Sequence, residues 1–246
     1  MCHSDASSPP SAPGARPAGA HGEIVLEAAD GNRFAAYAAR ATEPTGRGVV
    51  ILPDVRGLHG FYRELAVRFA EIGVDAVAID FFGRTAGIGD RSEAFEYRPH
   101  VEKTSPEGIA ADVAAAAAYL RSPEGGAVRS LFTVGFCFGG GHSWRQSAEQ
   151  VGIAGAIGFY GRPALAAGVI NNLHAPLLLL LAGADEHLPI EDAESLVAAA
   201  EQRGVSAHMV VYPGAPHSFF DRTATENAEA SADAWLRVVA FMDRYS

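Results

Sequence analysis

Apolar residues fall along this chain in two kinds of segment. Gly48–Pro53, Val74–Ile79, Leu131–Gly135, Ile153–Phe159, Leu177–Ala182 and Ala207–Tyr212 are short, nearly continuous apolar runs rich in Val, Ile and Leu. Such runs predict strands buried on both faces. The segments between them carry helical spacing. Phe61–Ile72 repeats apolar residues at Leu65, Phe69 and Ile72, and Pro106–Leu120 is alanine-rich, opened by Ser105 with Pro106 at its first position. Further helices are expected from about Gly139, over Ile190–Arg203 before Gly204, and over Thr225–Arg244. Near the start, Glu23–Ala28 and Arg33–Ala39 flank the turn signal Asp30-Gly31-Asn32 and read as an antiparallel hairpin. The alternation predicts an α/β protein with a mostly parallel sheet of about eight strands and helices on both faces. The stretch Arg84–Lys103 is irregular and charged. It follows the C-terminal end of a strand, where open α/β sheets hold their ligands.

Residues 1–22 are rich in Pro, Ser, Ala and Gly and are expected to form a flexible arm ahead of one domain over 23–246. The chain has 246 residues, and 48% of them are hydrophobic, ample for a sizeable core. The formal net charge is −10, which argues against a nucleic-acid partner while leaving room for a local basic pocket. No apolar run approaches the roughly 18 residues of a membrane span. The first residues lack the apolar stretch of a signal peptide, so a cytoplasmic protein is expected. The two cysteines, Cys2 and Cys137, do not suggest a structural disulfide. Cys2 and His3 are adjacent, and two adjacent ligands alone make a poor metal site. There is no H-E-x-x-H, no C-x-x-C, no P-loop and no G-x-G-x-x-G after the first strand, so neither metal nor cofactor is expected.

Chemistry concentrates at Gly135-Phe136-Cys137-Phe138-Gly139-Gly140-Gly141, a G-x-C-x-G between a strand and a helix. It has the nucleophile-elbow pattern with Cys in place of Ser. A nucleophile in such a turn needs neighbours without a Cβ, and the helix that follows aims its positive end at the sulfur and favours the thiolate. A buried core cysteine is the plainer alternative. A cysteine nucleophile needs a base and a group to orient the base. In this topology the order is nucleophile, acid, histidine. Asp185 follows the strand Leu177–Ala182, and His217 follows the last strand, both at the Cys137 end of the sheet. Glu186 is the rival acid, and His187 is the rival base, out of order along the chain.

These residues resemble the dienelactone hydrolase family, the carboxymethylenebutenolidases, of the α/β-hydrolase superfamily. The matching stretches are Pro53-Asp54-Val55-Arg56-Gly57-Leu58, Ala78-Ile79-Asp80-Phe81-Phe82-Gly83-Arg84, the Cys137 motif, Phe159-Tyr160-Gly161, Gly183-Ala184-Asp185 and His217-Ser218-Phe219. The resemblance implies a catalytic Cys137, His217 and Asp185, with the backbone amides of Val55 and Phe138 as the oxyanion hole. It implies that Asp54 stands where an acidic residue, usually Glu, contacts the resting thiol. It implies that Arg84 is one of two arginines that hold a substrate carboxylate. At the second position this chain has Asp221, with Arg222 adjacent. Tyr160 is read as a pocket wall or a core residue. The expected partner is a small ester or lactone, and the protein is expected to be a monomer or small homo-oligomer. A broad carboxylesterase or activated (phospho)ester hydrolase is the alternative. A non-catalytic ligand-binding or redox-sensing protein on the same fold is the reading from another class.

Overall fold

The computed structural model describes residues 5–221 and 224–246, so Cys2, His3 and Arg222 lie outside the described residues. The strands are β1 (His21–Glu27), β2 (Arg33–Ala39), β3 (Arg47–Leu52), β4 (Val74–Ile79), β5 (Ser130–Phe136), β6 (Gly155–Phe159), β7 (Leu177–Ala182) and β8 (Ala207–Tyr212). They form one sheet in the order β1-β2-β4-β3-β5-β6-β7-β8. The hairpin β1–β2 is antiparallel and joins β4 antiparallel, while β3 to β8 are parallel. Gly31, at φ +82°, supplies the left-handed backbone of the hairpin turn, which Asn32 and Ala28 close with a 2.8 Å backbone bond.

The main helices are α1 (Gly60–Glu71), α4 (Pro106–Arg121), α5 (Phe138–Glu149), α7 (Ile190–Gln202) and α8 (Ala228–Arg244); α2 (Gly83–Ala86), α3 (Arg98–Val101) and α6 (Ala164–Ala167) are single turns. Side chains alternate across each strand, which builds two cores. Val49, Ile51, Val134, Phe136, Leu178 and Leu180 pack with α1 and α8, whereas Val50, Leu52, Leu131, Leu177, Leu179 and Leu181 pack with α4, α5 and α7. Ser105 accepts the Gly108 amide at 3.1 Å, and Pro106 opens α4 as its sequence signal suggested. Among the described residues no helix is long and apolar enough to cross a membrane.

Two segments carry more structure than their composition suggested. The described part of the N-terminal arm lies along the domain. The Trp235 indole N–H donates to the Pro10 carbonyl at 3.1 Å, the Arg16 amide donates to the Glu71 carbonyl at 2.9 Å, and Ala12 is buried. A Pro-rich chain has few amides to satisfy and can be held through its carbonyls without a ladder. Its foremost described residue, Asp5, meets His59 Nε2 at 2.9 Å and accepts the Glu93 amide at 2.9 Å.

The irregular stretch over 84–103 contains α2 and α3 and is anchored by Arg91. That side chain is buried against Asp80 (N–O 3.0 Å) and sits 4.4 Å from the centre of the Phe95 ring. Burial pushes the Asp80 carboxyl up, while Arg91 and the Phe82 amide pull it down. Removing one member of a buried pair leaves the other charge stranded. Arg91→Met is therefore expected to lower unfolding stability by about 3–5 kcal/mol, and Asp80→Leu in the same chain to recover most of it. Urea denaturation midpoints of the two variants check this; an unchanged midpoint for Arg91→Met would show that the pair contributes nothing.

Candidate active site

The chain runs from β3 outward to β4 and then returns to the other side of β3 with β5. A crevice opens at such a switch point, outside the C-terminal ends of the strands. Cys137 stands there, between β5 and α5, at φ +53° and ψ −111°. A non-glycine residue in that region is strained, and such strain is retained where the surroundings impose it. The Cys137 amide donates to the Phe159 carbonyl at 3.0 Å, and its carbonyl accepts the Gly140 amide at 3.0 Å. Gly135 and Gly139 permit the turn by close approach. A Cβ on Gly135 would meet the Gly139 carbonyl, and one on Gly139 would meet the Leu52 and Pro53 carbonyls. Phe138 is the first residue of α5, so its amide has no acceptor within the helix.

Cys137, Phe138, Val55, Tyr160 and His217 line one cavity of about 480 Å³. His217 Nδ1 lies 2.6 Å from Asp185 Oδ2, with the Asp185 side chain buried and His217 partly open. The other Asp185 oxygen accepts the His187 amide at 2.9 Å, which fixes the loop after β7. His187 also lines the cavity, yet its ring is not the one that Asp185 holds. Glu186 is exposed and does not line the cavity. A larger space, about 500 Å³, lies under the N-terminal segment beside the end of α1, away from this chemistry.

Beside the cavity the chain buries a polar group. The Asp54 amide donates to Tyr62 Oη at 3.1 Å, and Asp54 Oδ1 accepts the Arg56 amide at 3.0 Å with Arg56 Nε 3.6 Å away. Burial pushes the Asp54 carboxyl well up, and the negative Asp221 adds to the push, while the Arg56 amide opposes it. Tyr160 Oη donates to Asp221 Oδ2 at 3.0 Å, and the Tyr160 ring stands 4.9 Å from that of His217. Burial, reinforced by Asp221, keeps the Tyr160 phenol protonated. Tyr160 is thus a wall of the cavity with its hydroxyl tied to the carboxylate at the position where the family resemblance places an arginine.

Arg84 is not brought to this cavity. Its guanidinium is held by Asp112 (2.9 Å) and Asp30 (2.5 Å) and its Nε by the Gly108 carbonyl (3.1 Å), against α4 and the β1–β2 turn. Strand-end position alone does not settle which way a long side chain turns, and two carboxylates on one side decide it. Sequence reading missed Arg162, Val101 and Leu188, which do line the cavity. The available signal for Arg162 was its place just past β6, at the same sheet end as Cys137.

The family model of the dienelactone hydrolase family matches residues 34–246. A Yersinia pestis protein named "Putative carboxymethylenebutenolidase" is 27% identical over 236 residues, covering 91% of this chain and 88% of that protein. A Saccharolobus solfataricus protein of the same name is 39% identical over 121 residues, 48% of this chain and 46% of that protein. The crystal structure of a "Putative Dienelactone Hydrolase" from Klebsiella pneumoniae aligns with a TM-score of 0.78 at 26% identity, covering 92% of this chain and 100% of the other. A dienelactone hydrolase-like promiscuous phosphotriesterase from metagenomic libraries shares the fold, with a TM-score of 0.74 at 21% identity over 92% of this chain and 99% of the other.

Behind the Cys137 turn, in α5, His142 is 3% exposed, its Nδ1 has no hydrogen-bond partner among the described residues, and its ring lies 4.5 Å from that of Phe138. Burial, then the nearby Arg145 charge, bring its pKa down from 6.5 to about 4. The unfolded chain therefore takes up this proton first, and stability falls as pH drops from 6.5 toward 4. The contribution lost by pH 4.5 is about 2–3 kcal/mol. His142→Leu is expected to lose that much less stability than wild type between pH 6.5 and 4.5, read by urea denaturation at each pH; parallel losses would place the acid sensitivity elsewhere.

Proposed function

This chain belongs to the dienelactone hydrolase family and is a hydrolase of that family, and on that premise we propose that it cleaves small esters or lactones with Cys137 as nucleophile, His217 as base and Asp185 as the group that orients His217. The observation that carries the reading is the strained Cys137 turn facing one cavity with a His217 whose Nδ1 is held by a buried carboxylate. Asp185 on Nδ1 leaves Nε2 as the nitrogen available to the thiol, the role division of a nucleophile–base–acid triad.

His217 takes the Cys137 thiol proton, and the sulfur forms a bond to the carbonyl carbon. Negative charge moves to the carbonyl oxygen, where the amides of Phe138 and Val55 are its donors. The intermediate collapses with loss of the alcohol oxygen, which receives the proton from His217. In a lactone that alcohol stays attached to the acyl group. Water, deprotonated by His217, then attacks the thioester, and the carboxylic acid leaves as the thiol is restored. Asp54, one residue before Val55, and Tyr160 belong to the same proposal as groups that shape the pocket and its charge.

Cys137→Ala should bring hydrolysis of p-nitrophenyl acetate down to the uncatalysed rate without altering the far-UV circular dichroism. Surviving turnover in pure protein would remove Cys137 as nucleophile. Asp185→Asn should lower kcat by about 10²–10⁴ by releasing the histidine tautomer, with KM little changed. A kcat equal to wild type would leave Asp185 as a loop residue only.

A further inference from the structure

The N-terminal segment reaches the loop that carries Val55. That loop, residues 53–59, leaves β3 as a run of tight turns. The Gly57 amide donates to the Asp54 carbonyl at 3.1 Å and the His59 amide to the Gly57 carbonyl at 2.7 Å, with Gly57 at φ +73°. Its middle is braced, because a Cβ on Gly57 would meet Asp80 Oδ1 and the Phe82 ring. Its end is His59, buried at the N-cap of α1, where Nδ1 accepts the Phe61 amide at 3.2 Å. Burial holds the His59 pKa below its ordinary value, with the Asp5 hydrogen bond opposing, so the ring is neutral at pH 7. A neutral ring that accepts at Nδ1 carries its hydrogen on Nε2, which donates to Asp5 Oδ1 at 2.9 Å. The same Asp5 oxygen accepts the Glu93 amide at 2.9 Å, and the Asp5 amide donates to Glu93 Oε1 at 2.7 Å. Glu93 belongs to the stretch over 84–103, whose Val101 lines the cavity as Val55 does. One exposed side chain therefore ties together two segments that border the cavity. The arm also meets the far end of α1, where the Arg16 amide holds the Glu71 carbonyl.

We propose that Asp5 is a positioning residue: through His59 it holds the loop after β3 so that the Val55 amide stands ready for the developing oxyanion. This rests on the reading of Val55 as an oxyanion donor in hydrolysis by Cys137. Such a donor helps only if it is in place before charge develops. A loop that samples other conformations offers it for a fraction of the time, and the rate falls by that fraction. Asp5 contributes an acceptor rather than a charge, since the His59 ring it meets is neutral. Asparagine presents the same oxygen to His59 and to the Glu93 amide. Asp5→Asn therefore keeps the clamp and Asp5→Ala loses it. The net worth of one such hydrogen bond corresponds to about two- to tenfold in kcat.

Wild type, Asp5→Asn and Asp5→Ala are compared as full chains by three measurements. With p-nitrophenyl acetate, kcat should fall about two- to tenfold in Asp5→Ala with KM little changed, and should hold in Asp5→Asn. Alkylation of Cys137 by iodoacetamide, read by peptide mass spectrometry, should run at one rate in all three. There the sulfur displaces iodide from carbon, and no charge develops on a carbonyl oxygen. Hydrogen exchange of the peptide over residues 54–61 should quicken in Asp5→Ala alone. Wild-type kcat in Asp5→Ala, or an equal loss in Asp5→Ala and Asp5→Asn, overturns the proposal. Unchanged exchange in Asp5→Ala overturns it too, as does a matching fall in alkylation, which would put the effect on the thiol rather than on Val55. Any of these results beside hydrolysis abolished by Cys137→Ala removes Asp5 and spares the nucleophile. Faster exchange and slower hydrolysis in Asp5→Ala, beside hydrolysis that survives Cys137→Ala, remove the nucleophile and spare Asp5.

Discussion

At Cys137 the chain must leave a parallel strand and enter a helix within one residue, and it does so at positive φ. That turn exists only because backbone replaces side chain on both sides of it. The Gly135 and Gly139 positions are filled by neighbouring carbonyls, and the Phe159 carbonyl on β6 holds the Cys137 amide. The sheet and α5 thereby approach closely enough for the Trp144 indole to reach across and donate to the Leu178 carbonyl at 2.9 Å. Everything at the C-terminal edge of the sheet is arranged around this contact: α5 starts there, the cavity opens above it, and the loops after β3, β7 and β8 converge on it.

Charge around that turn is sorted rather than mixed. Carboxylates beside the cavity are buried and engaged: Asp185 on His217, Asp221 on the Tyr160 hydroxyl, Asp54 on the Arg56 amide. Among the described residues the open wall carries apolar side chains, two histidines and one arginine. Desolvation drives the sorting. A carboxylate kept from water is tolerated where donors meet it and is costly elsewhere. The result is an acidic protein in which Cys137 faces a cavity that has no acidic side chain among its described lining residues.

How much of this was legible in the sequence depended on whether a feature is local. Val74–Ile79 reads as a buried strand because burial on both faces removes every polar position from it, and the strand is found with those bounds. The hairpin, the Ser105-Pro106 helix start and the G-x-C-x-G turn are likewise set by residues a few positions apart. Topological order pointed to Asp185 and His217, and the loops do bring these two side chains together. Arg84 was not decided by its neighbours in sequence, because Asp30 and Asp112, far from it along the chain, determine where its guanidinium rests. The Pro-rich start read as a free arm because nothing in its composition reports the Trp235 indole waiting for a carbonyl. Where the last helix begins was also misjudged, at Thr225 rather than Ala228.

The candidate site residues come from loops that follow β3, β5, β6, β7 and β8, the last of which lies at the edge of the sheet and is the last strand synthesised. During biosynthesis the segment bearing Cys137 is therefore complete while the segment bearing His217 has not yet been made. Long-range parallel pairing is also the slow part of folding such a sheet, since distant segments must meet before either gains contacts. Under the proposed chemistry, a nascent or half-folded chain thus carries its thiol without the base that would activate it. Esterase activity would then report docking of the final strand, not merely formation of the nucleophile turn.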